Sequence, residues 1–419
     1  MTTLVLGAGV IGLATAYALH KDGVDVHVIE RLNGPGLATS FGNAGGLCPG
    51  FAGPWAAPGM VAKAIKWMVA PSAPLKIRPR LDLAQWAWLL SFARECNSDR
   101  SAANKRAMQA IAHYSQDRLA ALMDDTGVEF DHGRGGILQT FRSEDTLAAG
   151  RRAASVLEGL GINHRLVDAH EIAQIEPALA GSLDRFTGAL HLPDDQTGDC
   201  AAFCKALAQW LSGQGVRFSY GVEVTAIQAA AGRFAGLETA NGPIRGDELV
   251  LTAGPFANSL LAPLSEQQPI YPVKGYSLTY DLNGDLDDEL TAPRSSVMDE
   301  DSKLMFTRLG NQLRVAGVAE LSGFDTKLRI GQLTAIRRET ERFFPALHTL
   351  PDPKPWAGLR PMTPDGRSRI GPARSVDGLW LNLGHGSNGW TQAAGAGQLV
   401  ADLMAGRTPA IDAAAYLPN

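Results

Sequence analysis

Residues 3–30 read TLVLGAGVIGLATAYALHKDGVDVHVIE, and the order of residue types in this stretch decides the fold. Four residues of strand type (3–6) run into a glycine turn, an amphipathic stretch (10–20) follows with helical spacing, and a second apolar run (24–30) closes the unit, so the segment predicts β-strand, turn, α-helix, β-strand. The turn is GxGxxG. Gly7 permits the tight bend, Gly9 lets a pyrophosphate approach the backbone, and Gly12 allows the helix to pack against the sheet. Val10 and Ile11 fill the turn, whose N–H groups and positive helix dipole face the phosphates. Glu30 ends the second strand, where a carboxylate accepts from ribose hydroxyls, and Arg31 follows it. A dinucleotide site is therefore expected here.

The rest of the composition narrows the class. The chain has 419 residues, 45% of them hydrophobic, with a net charge of -5. That length supports two or three domains or one large enzyme. No lysine and arginine block offers phosphate neutralisation, which excludes a nucleic-acid partner. The four cysteines, Cys48, Cys96, Cys200 and Cys204, show no metal or disulfide spacing. No metal site is expected, the compartment is reducing, and Cys200 and Cys204 read as helix packing. The opening residues lack the basic flank and cleavage site of a signal peptide, and no uncharged run approaches the roughly 20 residues that span a bilayer. A cytoplasmic protein is expected, with peripheral attachment to the inner face of the cell membrane as the alternative.

Further along, residues 31–59 are rich in Gly, Ala and Pro, which predicts close backbone contacts instead of regular structure. Helices are expected over 61–69, 83–122, 151–174 and 330–344, and another from Thr197 or Asp199 to 211. Strands are expected over 216–227, 234–238, 247–252, 271–281, 296–298, 304–309 and 312–318, with Asn241–Gly242 as a hairpin turn. The chain ends on a second strand, glycine loop and helix. The fold class is α/β: a Rossmann-like nucleotide-binding domain (1–50, 148–262 and 352–419) interleaved with a substrate domain (51–147 and 263–351) built on a mixed antiparallel sheet.

Three further glycine-rich segments choose between nicotinamide and flavin: ATSFGNAGG (38–46), LVLTAGPFANS (249–259) and LGHGSNGWT (383–391). An extended FAD needs close backbone approach at several places, so FAD is the expected cofactor. A helix starting near Asn388 would aim N–H groups and its positive end at the flavin edge that gains charge on reduction; a solvent-facing cap is the plainer reading of the same residues. In GLRPMTPDG (358–366) two prolines and two glycines predict a rigid loop, a mount for Arg360 to hold a carboxylate by two parallel hydrogen bonds. An ordinary salt bridge is the alternative. Lys274 and Tyr276 alternate on one strand and share a face, so Tyr276 is a candidate substrate contact or a core tyrosine. His385 sits in the last glycine loop, by the flavin or as a turn hydrogen-bonder.

Taken together, GAGVIG (7–12), TSFGNAGG (39–46), GFAGPWAAPGMVAKAIKWM (50–68), LPDDQTGDC (192–200), YPVKGYSLT (271–279), GLRPMTPDG (358–366) and LNLGHGSNGWT (381–391) resemble the small subunit of bacterial D-amino acid dehydrogenases, within the D-amino acid oxidase and glycine oxidase family. The resemblance covers nearly the whole chain. It implies non-covalent FAD and substrate carboxylate on Arg360. Cofactor contacts are then expected at Thr39, Ser40, Asn43, Ala44, Gly45, Gly46 and Leu47, at Val224, Ala253, Gly254 and Gly358, and at Gly384, Gly386, Ser387, Asn388, Gly389, Trp390 and Thr391. Gly46, Cys48 and Asn388 depart from the family's usual pattern. The implied reaction is oxidative deamination of a free D-amino acid, by hydride transfer from Cα–H to flavin N5, to a 2-oxo acid and ammonia. Orientation carries such chemistry, so Arg360, Tyr276, Lys274 and His385 are the catalytic candidates.

Electrons then pass to a quinone, another respiratory-chain acceptor or a dye. Trp55, Met60, Ile65, Trp67 and Met68, interleaved with Lys63 and Lys66, together with QWAWLLSF from Gln85, compose a surface for a bilayer interface or else helix core. The rival readings are a D-hydroxyproline or D-proline dehydrogenase, an oxygen-using glycine or D-amino acid oxidase, and a non-catalytic electron-relay subunit.

Overall fold

A computed structural model describes residues 1–69, 74–159, 161–282 and 291–418. The opening segment folds as the sequence predicts: strand Thr2–Leu6, helix Val10–Lys21, strand Asp25–Ile29. These strands join a six-stranded sheet in the order Arg369–Pro372, Leu379–Leu383, Glu248–Leu251, Thr2–Leu6, Asp25–Ile29, Arg217–Ser219. Its pairings are parallel except at the Arg369–Pro372 edge. Parallel strands buried on both faces must be apolar on both. Val5 accordingly faces the helices Val10–Lys21, Cys200–Gly213 and Gly389–Met404, while Leu4 and Leu6 face a core shared with the hairpin Val224–Ala230/Arg233–Thr239. Gly397 has no side chain because a Cβ there would lie 2.6 Å from the Ala14 carbonyl, so the closing helix runs directly against the first.

A second, larger sheet orders its strands Lys354–Met362, Tyr271–Asp281, Gln312–Leu321, Leu304–Leu309, Ser296–Asp299, Ile137–Phe141, Gly188–Leu192, Arg165–Val167, and Leu75–Ile77 pairs with the end of Gln312–Leu321. Parallel and antiparallel pairs are mixed. Tyr276, Leu278, Tyr280 and Phe306 pack on one face with Ile336 and Phe343 of helix Ile330–Phe343.

The structure departs from the sequence expectation in several places, and the strand expected over 216–227 is two, Arg217–Ser219 in the six-stranded sheet and Val224–Ala230 in the hairpin. The helix expected over 83–122 is two, Leu83–Glu95 and Ser98–Thr126, because the Asn97 side chain accepts from Arg100 N–H and starts a new helix. The region 151–174 is helix Glu144–Gly159, strand Arg165–Val167 and helix Ala169–Ile175, the last begun by an Asp168/Glu171 capping box. The stretch around Arg360 is the strand Lys354–Met362 and not a loop; it tolerates Pro355 and Pro361 because it is the last strand in its sheet and pairs on one side. Strand pairing also places 165–167, 188–192 and 354–362 in the larger sheet.

Candidate active site

The first turn is held from within. Gly7 adopts φ +117°, and a Cβ there would lie 2.9 Å from the Thr252 carbonyl. At Gly12 a Cβ would lie 1.8 Å from the Gly7 carbonyl, so its hydrogen closes helix against turn and Gly12 does not face the cleft. Glu30 accepts from Ala8 N–H at 2.7 Å and Leu32 N–H at 2.9 Å, which fixes its carboxylate beside the turn with acceptor capacity left over. Ser40 Oγ accepts from Val10 N–H at 3.1 Å, bringing the second glycine-rich segment onto the first helix's N-terminus.

One cleft joins these segments. Gly7, Gly9, Val10, Ile11, Glu30, Arg31, Thr39, Ser40, Asn43, Val224, Ala253, Gly254, Gly384, His385, Gly386, Gly389 and Trp390 all line it. Sequence reasoning missed Thr252, Phe256, Cys200, Pro361 and Asn382, which line it too. Their types carry no motif, although Thr252 and Phe256 flank the glycine that was read. Arg31 stacks over the Phe256 ring at 4.2 Å. Cys200 is fully enclosed, and burial pushes its thiol well above the ordinary range, which removes it as a nucleophile.

Other expected contacts stand behind the lining. Asn43 Oδ1 accepts from Gly45 N–H at 2.8 Å, and Ala44, Gly45 and Gly46 shape the loop. A Cβ on Gly46 would lie 2.4 Å from Met305 Cε, which explains glycine there. Leu47 is core, and Thr391 Oγ1 accepts from Cys48 N–H at 3.1 Å, tying this loop to the closing helix. Ser387 and Asn388 lead into that helix, with Asn388 at its N-cap and no side chain capping it. Gly358 is bare because Trp356 covers it, a Cβ lying 2.1 Å from the indole, and the same indole covers Gly42. Arg314 is a further omission: from strand Gln312–Leu321 its Nη1 donates to the Phe41 and Asn43 carbonyls at 3.0 and 3.1 Å, so a buried cation from the large sheet sets the loop's path.

Strand Lys354–Met362 meets two of the cleft's loops. Both contacts are on its free edge, away from strand Tyr271–Asp281: Thr39 Oγ1 donates to the Leu359 carbonyl at 2.7 Å, and two residues on, Gly386 N–H donates to the Pro361 carbonyl at 3.0 Å. Arg360 therefore lies between the loop 38–46 and the loop 384–389. Its guanidinium covers Gly275, where a Cβ would lie 2.4 Å from Nη1, and Nη1 donates to the Val318 carbonyl at 3.2 Å. Among the described residues no carboxylate pairs with Arg360. Burial without a counter-charge pushes its pKa down to about 10, so it stays cationic at neutral pH. Val318 holds φ +52°, a conformation that costs a β-branched residue on the order of 1–3 kcal/mol and here turns its carbonyl to Arg360.

His385 is buried, and its Nε2 has no hydrogen-bond partner among the described residues. Burial pushes its pKa down to about 3, so it offers a neutral ring to the cleft.

Lys274 and Tyr276 lie elsewhere. Arg360 is the direct ladder partner of Val273, so Val273 and Gly275 share its face and Lys274 and Tyr276 point to the other. There Tyr276 Oη donates to Glu320 Oε2 at 2.8 Å, and Lys274 Nζ stands 3.4 Å from Glu320 Oε1, all three side chains buried. Burial and the Glu320 charge raise the Tyr276 pKa. The two residues share a face as expected, but it is not the face of Arg360, and neither lines the cleft.

The model of the FAD dependent oxidoreductase family (DAO) matches residues 2–403. The chain belongs to that family. Relatives of similar length agree: it is 42% identical over 415 residues to a D-amino acid dehydrogenase of Bradyrhizobium diazoefficiens, covering 99% of this chain and 97% of the relative. It is 44% identical over 414 residues to a D-amino acid dehydrogenase of Cereibacter sphaeroides, covering 99% and 94%. Among solved structures, glycine oxidase from Geobacillus kaustophilus superposes with a TM-score of 0.75 at 22% identity, covering 100% of this chain and 98% of that one. L-proline dehydrogenase from P. horikoshii gives a TM-score of 0.77 at 19% identity, covering 100% and 96%. These likenesses establish the mixed α/β fold with FAD as its cofactor, and the local geometry fits that group: a glycine cradle at Gly7 and Gly9, the Glu30 carboxylate, the uncapped closing helix and the orphaned His385 Nε2.

Proposed function

We propose that this flavoenzyme oxidises the C–N bond of a free D-amino acid, the activity named for its relatives, and binds the substrate by its carboxylate on Arg360. The observation that carries the reading is a half-buried guanidinium without a carboxylate partner among the described residues, set between two loops of the cofactor cleft. FAD supplies the acceptor for the hydride that leaves substrate Cα. Arg360 supplies orientation: two parallel N–H donors fix a carboxylate in plane as well as in place. The Val318 carbonyl holds one side of the fork. His385, neutral at working pH, contributes a hydrogen bond without adding a charge that would disfavour an amine nearby. The closing helix aims its free N–H groups at the cleft, where negative charge is stabilised. Product imino acid hydrolyses to a 2-oxo acid and ammonia.

A peripheral membrane contact and a quinone acceptor belong to the same proposal. Val61, Ile65, Leu81, Leu83, Trp86 and Leu90 are exposed on and around helices Met60–Val69 and Leu83–Glu95, with Lys63 and Lys66 beside them. Exposed apolar side chains with interleaved lysines suit an anionic bilayer surface. Trp88, by contrast, is core, stacked on Phe92 at 5.2 Å, and the Met68 side chain lies outside the described residues. No helix among the described residues is long and apolar enough to cross a membrane.

The test of substrate binding compares D-alanine with D-alaninamide. Loss of the substrate carboxylate lowers kcat/KM by about a hundredfold or more; equal kcat/KM for the two would overturn the Arg360 assignment.

A further inference from the structure

Behind Arg360, on the other face of the sheet, strands Tyr271–Asp281 and Gln312–Leu321 slip register. Lys274 pairs with Glu320 on one side of the slip and Tyr276 with Gly317 on the other, so Gly275 faces two residues, Val318 and Ala319. This is a β-bulge, and its extra residue is the valine held at φ +52°. Valine disfavours that conformation, and nothing in the local sequence asks for it. A force from outside the strand must keep the bulge in place.

The buried side chains supply one. Tyr276 stands below the slip, yet its hydroxyl donates to Glu320 above it at 2.8 Å, so a single hydrogen bond spans the bulge. Glu320 is fully buried and also accepts from Arg78 Nε at 2.6 Å. Lys274 Nζ lies 3.4 Å and Arg329 Nε 3.6 Å from the same carboxylate. Lys274, itself fully buried, donates to the Lys327 carbonyl at 3.2 Å. None of Tyr276, Glu320 or Lys274 bonds to Arg360; the link between the two faces is the Val318 peptide.

We propose that the buried group Tyr276, Glu320 and Lys274 positions Arg360 from behind the sheet, by locking the Val318 bulge whose carbonyl orients the guanidinium. The inference rests on Arg360 as carboxylate holder. Without the clamp, Val318 relaxes toward extended backbone, its carbonyl swings back toward the ladder, and Arg360 loses the hydrogen bond that sets its direction. These residues are positioning residues, and their effect is on carboxylate affinity.

The experiment measures Kd of acetate to the FAD-loaded protein by calorimetry, alongside KM and kcat for D-alanine and the melting temperature, in Tyr276→Phe, Arg360→Ala and the double variant. Tyr276→Phe is expected to weaken acetate and raise KM by about tenfold, as loss of one charge-oriented hydrogen bond does, with kcat within about twofold. In the Arg360→Ala background the same change should have no further effect. Val318→Gly added to Tyr276→Phe should restore affinity, because glycine holds positive φ without a clamp. If Tyr276→Phe does not accumulate as folded protein, Glu320→Gln, which weakens the acceptor of that same bridging hydrogen bond, must lower acetate affinity with the same dependence on Arg360. Unchanged acetate affinity in Arg360→Ala would remove the carboxylate reading itself. Weakened binding in Arg360→Ala with wild-type binding in the clamp variants would overturn this inference alone, as would a clamp effect of equal size in both backgrounds.

Discussion

Arg360→Ala removes the guanidinium and leaves open space over Gly275 where Nη1 now lies. The size of the effect follows from the surroundings. One Nη1 hydrogen bond is taken by the Val318 carbonyl, so the remaining fork edge is what a carboxylate engages. Truncating one partner of an enclosed, hydrogen-bonded charge pair costs about 2–5 kcal/mol. Arg360 is only half-buried as a residue, which places the loss near the middle of that range, about 3–4 kcal/mol. At about 1.4 kcal/mol per factor of ten, kcat/KM for D-alanine should fall by roughly a hundred- to a thousandfold. Most of it should appear in KM, since the contact exists before the reaction, with a smaller fall in kcat from misplaced Cα. Arg360→Lys keeps the charge but not the planar fork, and should recover about tenfold of the loss. Steady-state kinetics with an artificial electron acceptor read both numbers, and flavin absorbance per protein confirms that FAD is retained. A kcat/KM within about threefold of wild type, with FAD bound, refutes the reasoning.

Other perturbations test separate parts of the account. Gly12→Ala drives a Cβ to 1.8 Å from the Gly7 carbonyl, and the flavin-to-protein ratio should drop by about tenfold or more on purification; full flavin content would contradict the packing argument. Asp195 is buried, with Oδ1 accepting from Gly50 N–H and Oδ2 without a partner among the described residues; burial, helped by Asp194, pushes its pKa up to about 7 against that N–H. A carboxyl raised in the fold stabilises at low pH and loses that contribution as pH climbs through about 7, up to about 4 kcal/mol in all. Asp195→Asn should therefore match wild type in melting temperature near pH 4 and exceed it at pH 8; equal melting at both would show that Asp195 titrates normally. Replacing Ile65, Leu83 and Leu90, all exposed, by glutamate should abolish cosedimentation with anionic lipid vesicles while dye-linked kcat stays unchanged. Persistent vesicle binding by that variant would rule out this face as the contact.

Much of the site was legible because its signals are local. The nucleotide turn needs three glycines, a strand and an acid in fixed order, and Gly7, Gly9 and Glu30 occupy the expected places. Arg360 stood out through its neighbours, but the same prolines hid the strand it lies on, since only an edge position admits them and sequence does not reveal edges. Alternation correctly grouped Lys274 with Tyr276; which face they take depends on the register with strand Lys354–Met362, a contact distant along the chain. The Val318 bulge carries no glycine or asparagine to announce it. Arg314 and Glu320 were illegible for a related reason: an isolated charge in an apolar strand acquires meaning only from groups that the fold brings to it.

An anaerobic titration of the purified flavoprotein with D-alanine and, separately, with L-alanine bears most directly on the central claim. The account predicts that the D-enantiomer bleaches the flavin absorbance band to completion with one equivalent of pyruvate and ammonia formed per flavin, and that the L-enantiomer leaves the band unchanged. A flavin band that no D-amino acid bleaches, in protein carrying a full complement of FAD, would contradict it.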